Sequence, residues 1–185
     1  MRLFIASGFS VPVRDRVRDL QDFAKPRLGD TVKWVEPGNI HLTYVFLGDI
    51  AQPSKLLVIR KSIDEVAGAF RKVFVTLGGF GAFPSLERPR VLWLGLKEGG
   101  DALKAMTLKL YRGLTAEGFI FEREFSAHIT IARVKARLTH AALSSVTEKA
   151  EAFTAGDTVA SIDLMESRLT SAGPGYRKLY SKEFL

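Results

Sequence analysis

The chain has 185 residues, is 46% hydrophobic, and carries 27 Lys and Arg against 20 Asp and Glu, a formal charge of +7. That is length enough to bury one domain-sized core, and a diffuse positive field favours anionic partners, of which nucleic acid is the commonest. With no cysteine, it cannot be a disulfide scaffold, use a thiolate nucleophile or build a Cys-ligated zinc site, and it fits a reducing cytoplasm or a hot environment.

In chain order, "RLFIASGF" (2–9) is a short β-prone run. After it, Val13, Val17, Leu20 and Phe23–Ala24 recur at helical spacing, with Ser10 as cap, Pro12 in the first turn, and Pro26 and Gly29 ending the helix. "VKWVEPGNIHLTYVFLGDI" reads as two extended pieces around a Pro-Gly turn. A helix follows with Leu56, Ile59, Ile63 and Val66 on one face, then "KVFVTLGGFGAF", a strand running into glycines.

Past "PSLERP" the order repeats. "RVLWLGL" (90–96) is a strand, and a helix follows with Leu103, Met106, Leu110 and Leu114 as its stripe. "FEREFSAHITIARV" is extended, "THAALSSVTEKAEAF" is a helix capped by Thr139, and "TVASIDLMESRL" is one strand. The tail "SAGPGYRKLYSKEFL" is a turn and a last strand. The pattern predicts an α+β fold, a duplicated lobe in a single bilobal domain spanning 1–185, with halves near 1–85 and 86–185. Gly99-Gly100 or the Pro84–Pro89 loop is the expected crossover. The N-terminus becomes charged too early for a signal peptide, and no apolar run reaches the roughly 20 residues a membrane span needs. The expectation is a soluble cytoplasmic monomer with no membrane partner.

Two of the three histidines sit in one pattern, apolar-His-apolar-Thr-apolar, in "NIHLTYVFLGD" and "SAHITIARV". In a strand, residues i and i+2 share a face, so His41 lies with Thr43 and His128 with Thr130, while Leu42, Tyr44, Ile129 and Ile131 back them. A lone strand histidine is more often a hydrogen-bonded structural residue; two in corresponding positions of two halves reverse that. The third, His140, follows Thr139 at a helix start and reads as a solvated first-turn residue. No second imidazole or carboxylate accompanies either motif, so no metal and no cofactor are expected.

If the halves face each other, two imidazoles and two hydroxyls converge on one volume. In-line displacement at phosphorus wants that set: a base on one side, an acid on the other, each worth about 10²–10⁴ in rate, and hydroxyls for the non-bridging oxygens. Imidazole titrates near neutrality, so one ring can be neutral while its partner is charged. A strained cyclic phosphodiester suits such a site. Two alternatives stay open: a phosphodiesterase for a small cyclic nucleotide such as a cyclic phosphate of ADP-ribose, and a non-catalytic RNA-binding module. The imidazoles argue against the last, because a phosphate clamp more naturally uses Arg and Lys.

These motifs, with "RLFIA", "WVEPGNIHLTYVFLGD", "FPSLERPRVLWLGL" and "ESRLTSAGPGYRKLY" in the same order over nearly the whole chain, resemble the two-histidine (2H) phosphoesterases. The branch they resemble is that of RNA 2′,3′-cyclic phosphodiesterases, also called 2′-5′ RNA ligases. One departure is Ala127, where members of the family often place proline; no functional group is lost. The resemblance implies a bilobal fold with a cleft between two antiparallel sheets. It also implies hydrolysis of a terminal 2′,3′-cyclic phosphate on RNA to a 2′-phosphate, with reversible 2′-5′ ligation. By position, His41 is then the acid for the leaving 3′ oxygen and His128 the base for water, although a pseudo-symmetric site looks alike from either side. Thr43 and Thr130 hold phosphate oxygens. Arg133 is a further phosphate contact, although strict alternation puts it on the wrong face. Phe46 takes a base-stacking position, Tyr176 borders the cleft, and Trp34 and Trp93 pack the lobes.

Overall fold

A computed structural model describes residues 1–121, 125–170 and 173–185. Thirteen elements follow one another: β1 (Arg2–Gly8), α1 (Val11–Leu28), β2 (Val32–Trp34), β3 (His41–Asp49), α2 (Pro53–Ala67), β4 (Val73–Phe83), β5 (Val91–Glu98), α3 (Gly100–Ala116), β6 (His128–Val134), α4 (His140–Glu151), β7 (Thr154–Val159), β8 (Ser161–Thr170) and β9 (Gly173–Glu183). Part of the "FEREF" run and of the tail's turn lies outside the described residues. Among the described residues no helix is long and apolar enough to cross a membrane.

The helices form where the apolar spacing predicts them. α1 buries Val13, Val17, Leu20, Ala24 and Leu28, and α3 buries Leu103, Met106, Leu110 and Leu114. The hydroxyl of Thr139 accepts from the Ala142 N–H and caps α4. One boundary differs from the expectation. Pro26 lies inside α1, and the helix closes only at Gly29, whose φ of 51° suits glycine. Pro26 loses one helical hydrogen bond, but the turn it sits in carries the buried Leu28, and that burial holds the turn.

The strands run β7-β4-β5-β6-β3-β1-β8-β9, all neighbours antiparallel, with β2 also on β6. The two antiparallel sheets meet as halves of one curled sheet, joined between β3 and β6 by a single bridge, Leu42 to Ile129. Helices α1 and α4 pack together over the β7-β4-β5-β6 half, and α2 and α3 pack together over the other.

The sequence halves interlock. β4, from the first, pairs with β5, and β8, from the second, pairs with β1. The run read as one strand over 158–169 is two strands, because the chain changes lobe at Ala160 between β7 on β4 and β8 on β1. The Pro84–Pro89 loop closes the β4–β5 hairpin within one lobe. Gly99 starts the helix that crosses to pack on α2. A Cβ at Gly99 would fall 2.6 Å from the Phe74 carbonyl oxygen, at a φ of 82°.

Candidate active site

The central bridge sets the site. With Leu42 opposite Ile129 in an antiparallel pair, the residues one step away interleave: His41 comes beside Thr130, and Thr43 beside His128. The two histidines are diagonal neighbours, and such positions lie about 7–8 Å apart, close enough to flank one phosphate. His128 and Arg133 are near enough that each disfavours protonation of His41. Leu42 and Ile129, each 0% exposed, fix the opposite face of both strands in the core.

The two motifs are held in the same way. The His41 ring places Nδ1 2.7 Å from the carbonyl oxygen of Asn39, and His128 places Nδ1 2.7 Å from that of Ser126. A carbonyl only accepts, so each Nδ1 carries the hydrogen and donates it. That leaves Nε2 of each ring as the working nitrogen, a base when neutral and an acid when protonated. Burial is the main cause that lowers both pKa values below 6.5. The carbonyl contact pulls each back upward, and for His41 the charge of Arg133, and of His128 whenever that ring is protonated, adds to the lowering.

Each imidazole rests on an aromatic wall of its own lobe. Phe4 and Tyr176 lie 5.0 and 5.2 Å from His41. Phe83 and Trp93 lie 4.9 and 6.2 Å from His128. Phe46 adjoins Phe4 at 6.2 Å, and its ring is 66% exposed. Tyr176 meets the His41 ring edge-on. Trp93 does not belong to lobe packing alone: its indole lies flat over Gly81, where a Cβ would meet the ring at 2.2 Å. Trp34 packs against the core. His140, exposed in the first turn of α4, has Nδ1 3.4 Å from the Ser144 hydroxyl and takes no part.

Arg133 reaches the cleft because β6 carries a bulge. Trp93 pairs with Thr130 and Leu92 with Ala132, so Ile131 is the extra residue. Ile131 and Ala132 are both buried in succession, which resets the alternation and returns Arg133 to the face of His128 and Thr130. β3 has the same irregularity: Ala6 pairs with Thr43 and Ile5 with Val45, leaving Tyr44 extra. Phe46 is thereby turned to the face of His41, in the place that Arg133 holds in the other motif. Gln21 holds the bulge in β6. Buried at 2% exposure, it donates from Nε2 to the carbonyl oxygens of Val35 at 2.8 Å and of the bulge residue Ile131 at 3.0 Å. Tyr44 is anchored by the Ser7 hydroxyl at 2.9 Å, and burial pushes its phenol pKa up.

Gln21, Gly81 and Trp93 are positioning residues that the sequence pattern missed. Glycine directly before "AF" in one strand and Trp93 in the next is the signal for the last two, legible once β4 and β5 are paired. Among the described residues no three His, Asp or Glu side chains converge as a metal site would require. A concavity of about 530 Å³ between Leu86, Glu87 and α4 contains none of the motif residues.

Comparison with known proteins shows the family and the fold. The family model described as LigT-like phosphoesterase matches twice, over residues 9–93 and 94–176, one motif in each. The RNA 2′,3′-cyclic phosphodiesterase of Archaeoglobus fulgidus is 34% identical over 97% of this chain and 98% of its own. That of Thermotoga maritima is 32% identical over 100% and 96%. Among solved structures, the protein TT0787 of Thermus thermophilus superposes with a TM-score of 0.82 at 25% identity over 100% of this chain and 98% of its own. Escherichia coli LigT complexed with 3′-AMP gives 0.76 at 23% identity over 99% and 97%.

Proposed function

The chain belongs to the LigT-like phosphoesterase family, and on that premise we propose that it hydrolyses the terminal 2′,3′-cyclic phosphate of RNA to a 2′-phosphate without a metal ion. The observation that carries this reading is the Leu42–Ile129 bridge, which interleaves the two His-x-Thr motifs across one cleft. Curated relatives of nearly the same length bear the name of that activity.

In the proposed reaction water attacks phosphorus on the side opposite the 3′ oxygen. His128 Nε2 takes the proton from water as the P–O bond forms. His41 Nε2–H gives its proton to the 3′ oxygen as the P–O3′ bond breaks, and the 2′ ester remains. The carbonyls of Asn39 and Ser126 keep both rings in the tautomer this needs. Before substrate binds, burial, helped by the Arg133 cation, favours the neutral form of His41; the negative phosphodiester supplies the counter-charge that lets it carry the acid's proton. The hydroxyls of Thr43 and Thr130 donate to the non-bridging oxygens, and Arg133 adds positive charge.

Exposed Phe46 orients the substrate. A terminal base stacked there, on the wall formed by Phe4 and Tyr176, brings the ribose and its leaving oxygen to the His41 side. With a 5′-hydroxyl in place of water as the nucleophile, the same step joins ends through a 2′-5′ linkage, His128 taking the hydroxyl proton and His41 protonating the leaving 3′ oxygen; cleavage of that linkage back to the cyclic phosphate exchanges the two roles. Both motifs come from one chain, so a monomer completes the site, and the expected place of work is the cytoplasm, where RNA ends arise.

The test is incubation of purified protein with a 2′,3′-cyclic-phosphate RNA end in EDTA, reading the product by phosphorus NMR. A 2′-phosphate is expected. A 3′-phosphate would invert the orientation of the site, and turnover lost to EDTA would remove the metal-free mechanism.

A further inference from the structure

Two cross-strand rows run side by side over β3, β1, β8 and β9. Thr43 stands opposite Ala6, Ala6 opposite Asp163, and Asp163 opposite Ser181. Phe46 stands opposite Phe4, Phe4 opposite Met165, and Met165 opposite Lys178. Partners across a ladder share a face, so Asp163 and Lys178 belong to the face of Thr43 and Phe46. Ile162 and Leu164, each 0% exposed, turn the other way into the core.

The proposed reaction uses neither polar residue. Asp163 is 4% exposed, and a carboxylate so deep is costly unless it is paired. Its Oδ2 lies 2.8 Å from the Lys178 ammonium, and the Ser181 hydroxyl donates to its Oδ1. The lysine side chain, by contrast, is 52% exposed. Asp163 thereby fixes a flexible stem and draws its amine from the row of Phe4 toward the row of Thr43. An ammonium has three donors and accepts nothing; the carboxylate takes one, which leaves two for a ligand.

Charge and reach decide what that ligand is. The ion pair is neutral as a whole, so it exerts little pull on a further phosphate and suits an uncharged acceptor. Phe4 lies two strand spacings from Lys178, about 9–10 Å, and Tyr176 lies two residues from it along β9, about 6.5 Å. A base stacked on Phe46 and on the wall of Phe4 and Tyr176, its ribose toward His41, turns the edge opposite its sugar toward β9. At that edge guanine and uracil carry a carbonyl oxygen, whereas adenine and cytosine carry an amino group.

We propose that Lys178, positioned by Asp163, reads the exocyclic group of the terminal base and selects keto bases over amino bases. The inference rests on the cyclic-phosphate reading above and narrows its substrate class to RNA ends that terminate in a keto base. A carbonyl oxygen accepts from the held ammonium; an amino group meets it donor against donor.

The experiment compares kcat/KM for the 2′,3′-cyclic phosphates of inosine and adenosine, and of uridine and cytidine, with wild type, Lys178→Met, Lys178→Arg and Asp163→Asn. The wild type should favour the keto member of each pair roughly 5- to 10-fold, the worth of one hydrogen bond to a charged donor at a half-exposed site. Lys178→Met should bring both ratios close to one by raising KM for the keto substrates, with kcat little changed. Lys178→Arg, also a pure donor, should keep most of the preference. Asp163→Asn should lower the ratios at least about 2-fold by freeing the amine. Damage to β8 or β9 slows both members of a pair alike and leaves the ratios where they were. Wild-type ratios of one or less overturn the proposal, as do ratios unchanged in Lys178→Met; ratios unchanged in Asp163→Asn overturn the positioning role. A wild type that opens none of the four substrates overturns the underlying reading instead, a distinguishable failure.

Discussion

Replacing Gln21 with Leu tests whether the bulge in β6 is a functional device. The substitution keeps volume and helix propensity but removes two donors buried at 2% exposure, one 2.8 Å from the Val35 carbonyl oxygen and one 3.0 Å from that of Ile131. The Ile131 oxygen keeps the Val35 N–H at 3.0 Å, so it retains a partner; the Val35 oxygen loses its side-chain donor. At about 0.5–1.5 kcal/mol for each bond, with an added cost for the carbonyl left without that donor, the loss should be about 2–3 kcal/mol. For a chain of this length that is a fall in Tm of about 4–12 °C. If the bulge relaxes toward regular pairing, Arg133 turns away from the cleft, and kcat/KM should fall by up to about 10². Urea unfolding and steady-state turnover of a cyclic phosphate read both. A variant as stable as wild type to within about 0.5 kcal/mol, with unchanged kcat/KM, would show that Gln21 neither holds the bulge nor acts through it.

The remaining predictions follow from the same geometry. Gly81→Ala drives a Cβ to 2.2 Å from the Trp93 ring, so it should cost about 1–3 kcal/mol and slow turnover through His128; Gly81→Ala with Trp93→Phe should recover stability, and a double-mutant cycle checks the coupling. Thr43→Val and Thr130→Val should each slow the reaction by roughly 10-fold or more with the melting curve unchanged, since each hydroxyl is assigned to phosphate oxygens. Both histidines have folded pKa values below 6.5, chiefly from burial. Below pH 6.5 the unfolded chain therefore binds more protons than the folded one, and stability is lost as pH falls from about 6.5 toward the folded values; above that this contribution is complete. Denaturant midpoints of wild type minus those of a His41→Gln/His128→Gln variant should show that slope, and a difference independent of pH through this window would contradict it.

The local pattern made the helices and the two motif strands legible. Apolar spacing located Val13, Val17 and Leu20 on α1 and Leu103, Met106 and Leu110 on α3, all buried. Period-two alternation put His41 with Thr43 and His128 with Thr130. What escaped it was non-local. Strict alternation turned Arg133 to the wrong face, because a bulge at Ile131 is a property of pairing with β5 and of a side chain, Gln21, that lies 110 positions away. The break at Ala160 was invisible because both flanking runs are β-prone; only their different partners, β4 and β1, separate them. Trp93 read as packing because nothing in its own strand shows that it lies over Gly81 and beside His128. The tethers on the two rings come from backbone carbonyls, which leave no trace in residue type.

The central claim is that His41 and His128 act as one unit on a single phosphorus, and single and double alanine variants at these positions test it most directly on a cyclic-phosphate RNA end. Each single variant should fall to near background while remaining folded, and the double variant should be scarcely worse than either, as for groups that serve one step together. Substantial turnover in either single variant, or losses that simply multiply in the double, would contradict it.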